Sequence, residues 1–255
     1  MNLRYTSALP ALLCLSLCGL AACHPSGKGT APDNESSAVT VTTSTAAATE
    51  SVSVNSVSPP ATVAAGPLSC ADDIGATAAE SRVQTCLAVS PATHPPCNTA
   101  NTCAMIDDEI ARSCALFDGQ GSPMPECRPA PQSQEAAVAV VTRYYSALNA
   151  HDYETAWLQW GEDGPPNQTL AKFTAGFAHT RSTHVAIGKL DPSEGGAGSI
   201  YQTVPVVVDA TLDNGTHQRF TGDYTIRRVN GVDGATPAQL RWHINSAHLV
   251  GKPAG

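Results

Sequence analysis

The chain has 255 residues, with 14 lysines and arginines against 22 aspartates and glutamates, so its formal charge at pH 7 is −8. Nucleic-acid binding depends largely on basic side chains that neutralise phosphates, and this acidic balance therefore argues against a nucleic-acid partner. Beyond the first 22 residues, no apolar run approaches the roughly 18 residues that a membrane-spanning helix needs.

Residues 1–22 predict a signal peptide. A basic residue, Arg4, precedes an apolar core at 8–17, and small residues follow the core. The segment ends in Leu20-Ala21-Ala22 and is followed by Cys23; this run resembles the lipobox of bacterial lipoprotein precursors. A plain secretory signal that is cleaved nearby is the alternative.

The resemblance implies that Cys23 is lipidated. In lipoproteins of this kind the cysteine thiol receives a diacylglycerol, the signal is removed before the cysteine, and the new amino terminus is acylated. Several acyl chains on one residue bind a membrane firmly. We therefore expect an anchor in the cell envelope with the protein facing the periplasm, and His24 after the cysteine favours the outer membrane.

Residues 23–67 are rich in Ser, Thr, Ala and Pro and contain almost no large side chains. Such a segment buries too little surface to offset the entropy of ordering it. It is predicted to be a disordered, lipid-anchored linker with an end-to-end distance of about 35 Å.

Residues 68–131 are predicted to form a small cysteine-rich helical unit. Of the nine cysteines in the chain, two lie in the signal and one is the predicted lipid site, which leaves an even number. In an exported protein this favours three disulfides over a metal site, and no Cys-x-x-Cys pair is present. The pairing is left open by the sequence; the candidates are Cys70, Cys86, Cys97, Cys103, Cys114 and Cys127.

Two helices are predicted in this unit from apolar residues at helical spacing. The first spans Ala76–Ala88, with an apolar side made of Ala79, Val83, Cys86 and Leu87. The second carries a stripe made of Cys103, Ile106, Ile110, Cys114 and Phe117. Because both stripes contain cysteine, we expect at least one disulfide between the helices. Asp107-Asp108-Glu109 is interpreted as a solvated helix start, with a docking surface for a basic partner as the alternative.

Residues 132–250 are predicted to form the main domain, and 251–255 a tail. Helices are expected over 134–150, after a cap at Asp152, and over 169–177. The apolar period then changes to two, which predicts strands. One strand begins at Val185, a longer one spans 200–212, and a third carries Phe220, Tyr224 and Ile226. The third follows the turn Asp213-Asn214-Gly215, and a fourth is expected to carry Leu240, Trp242 and Ile244. Helices followed by an antiparallel sheet with one apolar face predict an α+β fold.

The run from Arg143 to Tyr153, followed by Ala156-Trp157, resembles the opening of nuclear-transport-factor-2-like (NTF2-like) domains. This superfamily includes ketosteroid isomerase and the polyketide-cyclase-like group. The resemblance implies a cone in which helices pack on a strongly bent antiparallel sheet. Many such cones pair through the outer face of the sheet, where Tyr201, Val207 and Val229 are expected to lie, so a homodimer is one alternative, and the sequence leaves the oligomeric state open.

A pocket inside such a cone is predicted from the inward-facing positions. Isomerase chemistry needs a carboxylate base beside the substrate, but the acids after the second helix, Glu162 and Asp163, are in a loop that looks exposed. We therefore predict no catalytic residue, and the histidine spacings predict no metal site and no cofactor. The predicted ligand pocket consists of Tyr144, Trp157, Val206, Tyr224, Trp242 and His248.

Three functions follow from these features. The leading hypothesis is a non-enzymatic envelope lipoprotein whose cone binds a small apolar ligand or a protein partner. The second is an isomerase or cyclase that uses Tyr144 with a pocket acid or His248. The third is an inhibitor or immunity lipoprotein that neutralises a basic, envelope-targeted enzyme through its acidic helical unit.

Overall fold

The structure is a computed structural model in which residues 66–118 and 124–252 are described. The predicted signal, Cys23 and nearly all of the predicted linker lie outside the described residues. The described residues belong to one compact unit. None of the helices in 66–118 and 124–252 has the length and apolar character that crossing a membrane requires.

Three helices form the cysteine-rich region: α1 (Cys70–Ile74), α2 (Ala76–Val89) and α3 (Cys103–Phe117). The Thr102 hydroxyl caps α3 by accepting from the backbone N–H of Met105. The predicted helices are therefore present, but one residue of each predicted apolar stripe is exposed. On α3 it is Phe117, which is 37% exposed at the end of the helix. Leu87 is 50% exposed, because each step along a helix turns about 100° and carries it away from the face of Ala79, Val83 and Cys86.

Three disulfides join this region, and their pairing is Cys70–Cys103, Cys86–Cys97 and Cys114–Cys127. The predicted disulfide bonding is thus confirmed. The expected disulfide between α2 and α3 is wrong. Cys86 of α2 bonds to Cys97, which lies between the two helices in the chain, and Cys103 of α3 bonds to Cys70 of α1. The loops closed by these bonds restrict the unfolded chain, so each disulfide stabilises a region with a small core.

Three further helices follow: α4 (Gln134–Asn149), α5 (Tyr153–Leu158) and α6 (Leu170–Phe177). Asp152 caps α5 as predicted, since its Oδ1 accepts from the backbone N–H of Thr155 at 3.1 Å. Its Oδ2 accepts from the hydroxyl of Thr102 at 2.5 Å. The Asp152 carboxylate therefore accepts hydrogen bonds from the first turn of α5 and from Thr102, the residue that caps α3.

The strands are β1 (Thr180–Ile187), β2 (Glu194–Gly196), β3 (Ser199–Leu212), β4 (His217–Val229) and β5 (His243–Lys252). Their order in the antiparallel sheet is β1-β3-β4-β5, with β2 paired to β3. The predicted turn around Asn214 connects β3 to β4. β5 continues two residues into the predicted tail.

Two details of the fourth predicted strand are wrong. Leu240 ends a short helix, α7 (Pro237–Leu240), and Trp242 lies just before β5, so neither residue is in the strand. A bulge then places Asn245 between the pairs Ile226↔Ile244 and Thr225↔Ser246. An extra residue reverses the side-chain alternation beyond it, so Leu249 packs on the core and His248 is exposed on the outer face. The prediction that His248 faces inward is therefore wrong.

The core lies between the helices and the inner face of the sheet. It contains alternate residues of β3, including Val204, Val206 and Val208, as the period of two predicts. Ala104 of α3 belongs to the same cluster, so the cysteine-rich helices share this core. The predicted class, α+β with helices packed on an antiparallel sheet and a disulfide-bonded helical region before them, is confirmed.

Two polar residues of the inner face, Gln202 and Arg228, are buried. The Gln202 amide oxygen accepts from Gln134 and from Ser193, and its nitrogen donates to the backbone. Arg228 is only 2% exposed, and its guanidinium stands 6.0 Å from the centre of the Trp242 ring. Its guanidinium also lies 3.8 Å from Asp118, and this pairing offsets the burial of a charge.

Candidate functional site

Aromatic rings cluster between α4, α6 and the sheet. The ring of Tyr144 on α4 has centroid distances of 5.1–6.3 Å to four other rings, which are those of Tyr145, Trp160, Phe173 and Tyr224. Most of these contacts are edge-to-face, the arrangement that aromatic pairs prefer. The hydroxyl groups of Tyr145 and Tyr224 lie 2.7 Å apart and share a hydrogen bond, so these two buried hydroxyls satisfy each other.

A cavity of about 490 Å³ opens beside this cluster. Its walls come from α4, α6, the turn after α5 and the bulged part of β5. The lining is mostly apolar or aromatic, and its rings belong to Tyr144, Trp160, Pro165, Pro166, Phe173 and Phe177. The size falls within the range of about 300–1,000 Å³ that small-molecule sites occupy.

The Tyr144 hydroxyl is the polar group placed to orient a ligand. It lines the cavity, with the Trp160 indole as its neighbouring polar side chain. Burial raises the pKa of the Tyr144 phenol well above its ordinary value, with neighbouring Tyr224 adding to the shift. The phenol therefore stays protonated at neutral pH and can donate a hydrogen bond.

The lining of this cavity offers apolar contacts and few charged groups. Its lining contains neither a carboxylate nor an imidazole, and the charged side chain present is that of Lys172 on the exposed side of α6. General acid–base catalysis needs a group with a pKa near the working pH within hydrogen-bonding reach of the substrate. The high pKa of Tyr144 leaves it as a donor, without a proton acceptor beside it.

The predicted pocket residues occupy different places. Tyr144 lines the cavity, and Trp157 packs against Phe173 at 5.7 Å, beside the cavity. Val206 and Tyr224 are in the core, Trp242 lines a different cavity, and His248 is on the outer face. Sequence reasoning missed Trp160, Phe173 and Phe177; the aromatic residues of α6 at spacing four were the signal that could have found the last two.

A larger cavity, about 880 Å³, lies between the cysteine-rich helices and the other side of α4. Its lining includes residues of α2, α3 and α4, with Arg241 and Trp242 at one end. Successive residues on α4 thus serve different cavities: Arg143 lines this one and Tyr144 lines the aromatic one.

The Asp108 carboxylate of α3 is the centre of a buried polar cluster. Both of its oxygens accept from Nη1 of Arg241, at 3.2 and 3.1 Å, and Oδ1 accepts from Nε2 of Gln159 at 2.9 Å. Oδ1 also lies 3.4 Å from Nε of Arg143. The partners are contributed by α4, the residue after α5 and the residue after α7, so one carboxylate bonds α3 to three parts of the main domain.

The interpretation of the acidic run as a solvated helix start is therefore wrong. Asp108 and Glu109 are 9% and 3% exposed. Glu109 accepts hydrogen bonds from Ser90, Arg112 and Ser113. These two carboxylates cannot contribute to the alternative, an acidic docking surface for a basic partner, because side chains that are buried and paired are not accessible to a partner.

Burial alone would raise the pKa of Asp108, but the charges of Arg143 and Arg241 and the hydrogen bond from Gln159 lower it below its ordinary value. The charged form is therefore the one that the fold favours. A carboxyl group whose pKa is lower in the folded than in the unfolded state stabilises the fold above the unfolded pKa, and this contribution disappears as the pH falls through the folded pKa.

No group of three or more His, Cys, Asp or Glu side chains within 66–118 and 124–252 is arranged to hold a metal ion.

Comparisons with known proteins give likenesses to solved structures alone. No protein-family model matches the chain, and no curated protein matches it. A protein from Novosphingobium aromaticivorans, provisionally named a scytalone dehydratase, is 14% identical over 46% of this chain and 83% of its own, with a TM-score of 0.34.

Two further solved structures are similar to nearly the same share of this chain. The Kfla4162 protein from Kribbella flavida is 13% identical over 46% of this chain and 89% of its own, with a TM-score of 0.32. A protein from Streptomyces avermitilis, provisionally named a dehydratase of the NTF2-like family, is 15% identical over 45% of this chain and 92% of its own, with a TM-score of 0.31.

We predict that acid destabilises this protein through Asp108. The free energy of unfolding, measured by urea denaturation, should fall as the pH drops below about 4, because protonation removes the charge that Arg143 and Arg241 bind. Asp108→Asn should not show this fall in stability at low pH. At pH 7 its free energy of unfolding should be lower than that of the wild type by about 3–5 kcal/mol, because two arginines lose their charged partner.

Glu162→Gln is the matched control, because Glu162 is an exposed loop carboxylate, and its unfolding profile should follow that of the wild type. If Asp108→Asn still lost stability below pH about 4 as the wild type does, other carboxyl groups would be responsible for the effect.

Proposed function

We propose that this protein is a lipid-anchored, non-enzymatic protein of the bacterial cell envelope whose NTF2-like domain binds a small apolar ligand. The observation that carries the binding role is the aromatic cavity beside Tyr144, which combines apolar walls with the phenol of a tyrosine. Small-molecule sites are typically lined in this way, with a few polar groups that fix the orientation of the ligand.

The ligand that suits this cavity is flat and uncharged. Edge-to-face rings at Tyr144, Trp160 and Phe173 offer contacts to a planar apolar body. The Tyr144 hydroxyl is available to donate to a carbonyl or ether oxygen of the ligand. A charged ligand would lose its hydration without gaining a partner of opposite charge within the lining, except at Lys172.

The absence of a proton acceptor from the cavity lining supports a binding role over the isomerase or cyclase alternative. That reaction class moves a proton between carbon and oxygen, and it needs a base close to the substrate. The assignment to the NTF2-like domains is supported by the run from Arg143 to Tyr153 and by the order of helices before an antiparallel sheet.

The lipid anchor is supported by the lipobox resemblance that ends in Cys23. The full-length chain produced in a bacterium that is fed labelled palmitate should incorporate the label, and Cys23→Ser should abolish the incorporation. Cys18→Ser is the matched control, because Cys18 lies inside the predicted signal and should leave the labelling unchanged. Equal labelling of Cys23→Ser and the wild type would contradict the anchor.

Ligand binding is tested with N-phenyl-1-naphthylamine, an uncharged aromatic probe whose fluorescence rises in apolar surroundings. The wild type should bind it, and Gly176→Trp should weaken binding by about tenfold or more, because a side chain at Gly176 projects into open space beside the cavity. The other side chains of the lining stay unchanged in this variant.

Gly195→Trp adds the same bulk at an exposed strand position that also has open space, and it should bind the probe like the wild type. Equal binding by both variants would place the probe elsewhere and contradict the proposal. Turnover of an enolisable ketone that Tyr144→Phe abolishes without unfolding the protein would replace the binding role with the isomerase alternative.

A further inference from the structure

We propose that the cavity of about 880 Å³ is a second binding site, distinct from the aromatic one, and that it takes an amphiphilic monocarboxylate whose charged end binds the guanidinium of Arg143. This inference is independent of the proposed function, since it concerns the opposite side of α4.

Arg143 supplies the anion-binding group. It lines the cavity and is 8% exposed. Its Nε donates to Oε1 of Gln159 at 2.8 Å and lies 3.4 Å from Asp108, whereas its two terminal nitrogens have no hydrogen-bond partner among the described residues and are not sealed from the cavity. A guanidinium presents its donors in a planar fork that matches the two oxygens of a carboxylate.

The charges around Arg143 leave room for one anion. The inner cluster contains three arginines, at 82, 143 and 241, and two aspartates, at 107 and 108. Asp107 pairs with Arg82 at 3.2 Å, and Asp108 is shared between Arg143 and Arg241. One positive charge therefore remains unneutralised. The other charged residues in the lining, Asp73, Arg128 and Glu135, together carry one negative charge, but they lie at exposed positions where water and salt screen it.

The walls above this charge are apolar. The cavity lining includes Ile74, Ile110, Pro129, Pro131, Val138 and Trp242. The hydrocarbon chain of a carboxylate bound to Arg143 would cover apolar surface on both the cysteine-rich helices and α4. Removing that surface from water contributes about 25 cal/mol of binding free energy per Å². The site therefore combines one cation with an apolar trough.

This combination selects the ligand class. A monocarboxylate matches a single surplus charge, whereas a phosphate monoester carries about −1.5 to −2 charge at pH 7 and would leave negative charge in a partly buried site. A neutral amphiphile such as an alcohol would bury the apolar walls equally but would leave the guanidinium without an anion. Discrimination between an acid and an alcohol of equal chain length is thus the signature of the site.

The experiment compares decanoate with decanol by calorimetry and by NMR of labelled protein that carries all of its disulfides. Decanoate should bind at least about tenfold more tightly than decanol, because charge-assisted bonds to arginine are stronger than neutral ones. The NMR chemical shifts that change when decanoate is added should belong mainly to residues of α3 and α4 around Arg143. No decanoate binding up to millimolar concentration, or equal affinity for the two ligands, would overturn the proposal.

Thr142→Trp tests the location without disturbing the buried cluster. Thr142 is exposed on α4 and lines the cavity, so the added ring should reduce decanoate affinity by about tenfold or more while the protein stays folded. Gln84→Trp, at an exposed position of α2 outside the lining, is the matched control and should bind decanoate normally. Normal binding by Thr142→Trp together with loss in Gly176→Trp would place decanoate in the aromatic cavity and overturn the second site.

Discussion

A carboxylate that leaves water is stable in its charged form only when charged or hydrogen-bonding partners replace the lost hydration. Asp108 meets this condition through Arg143, Gln159 and Arg241, which belong to three separate segments of the main domain. The cluster therefore does more than satisfy one side chain. It requires α3 to lie against α4 and against the start of β5, and removing one member leaves charges buried without partners.

This constraint explains why the molecule has cavities on two sides of α4. The sheet and α6 surround one side, where Tyr144 is in the aromatic cavity, and the cysteine-rich helices cover the other, where Arg143 is in the larger cavity. Disulfides hold α3 to α1 and to the segment before α4. The cysteine-rich region is thus both bonded internally and joined to the main domain through Asp108, and it forms one wall of a binding site.

Local patterns predicted most of the elements because they are decided by near neighbours. The alternation along β3 and the cap at Asp152 are examples in which the sequence signal and the structure agree. The failures arise from distant contacts. His248 faces outward because a bulge adds Asn245 to β5, and no local signal marks that residue. Asp108 is buried because Arg241, 133 positions away, is its partner, and a run of three acids gives no indication of this. Tyr144 alone of the six predicted pocket residues lines the aromatic cavity.

The most direct test of the central claim, that Asp108 joins the cysteine-rich helices to the main domain, is a double-mutant cycle for Asp108→Ala and Arg241→Ala by urea denaturation at pH 7. The account predicts that the two losses of stability do not add and that the coupling energy is about 1–3 kcal/mol, as expected for residues of one polar network. Additivity within about 0.5 kcal/mol would contradict it, because residues that add in this way are energetically independent.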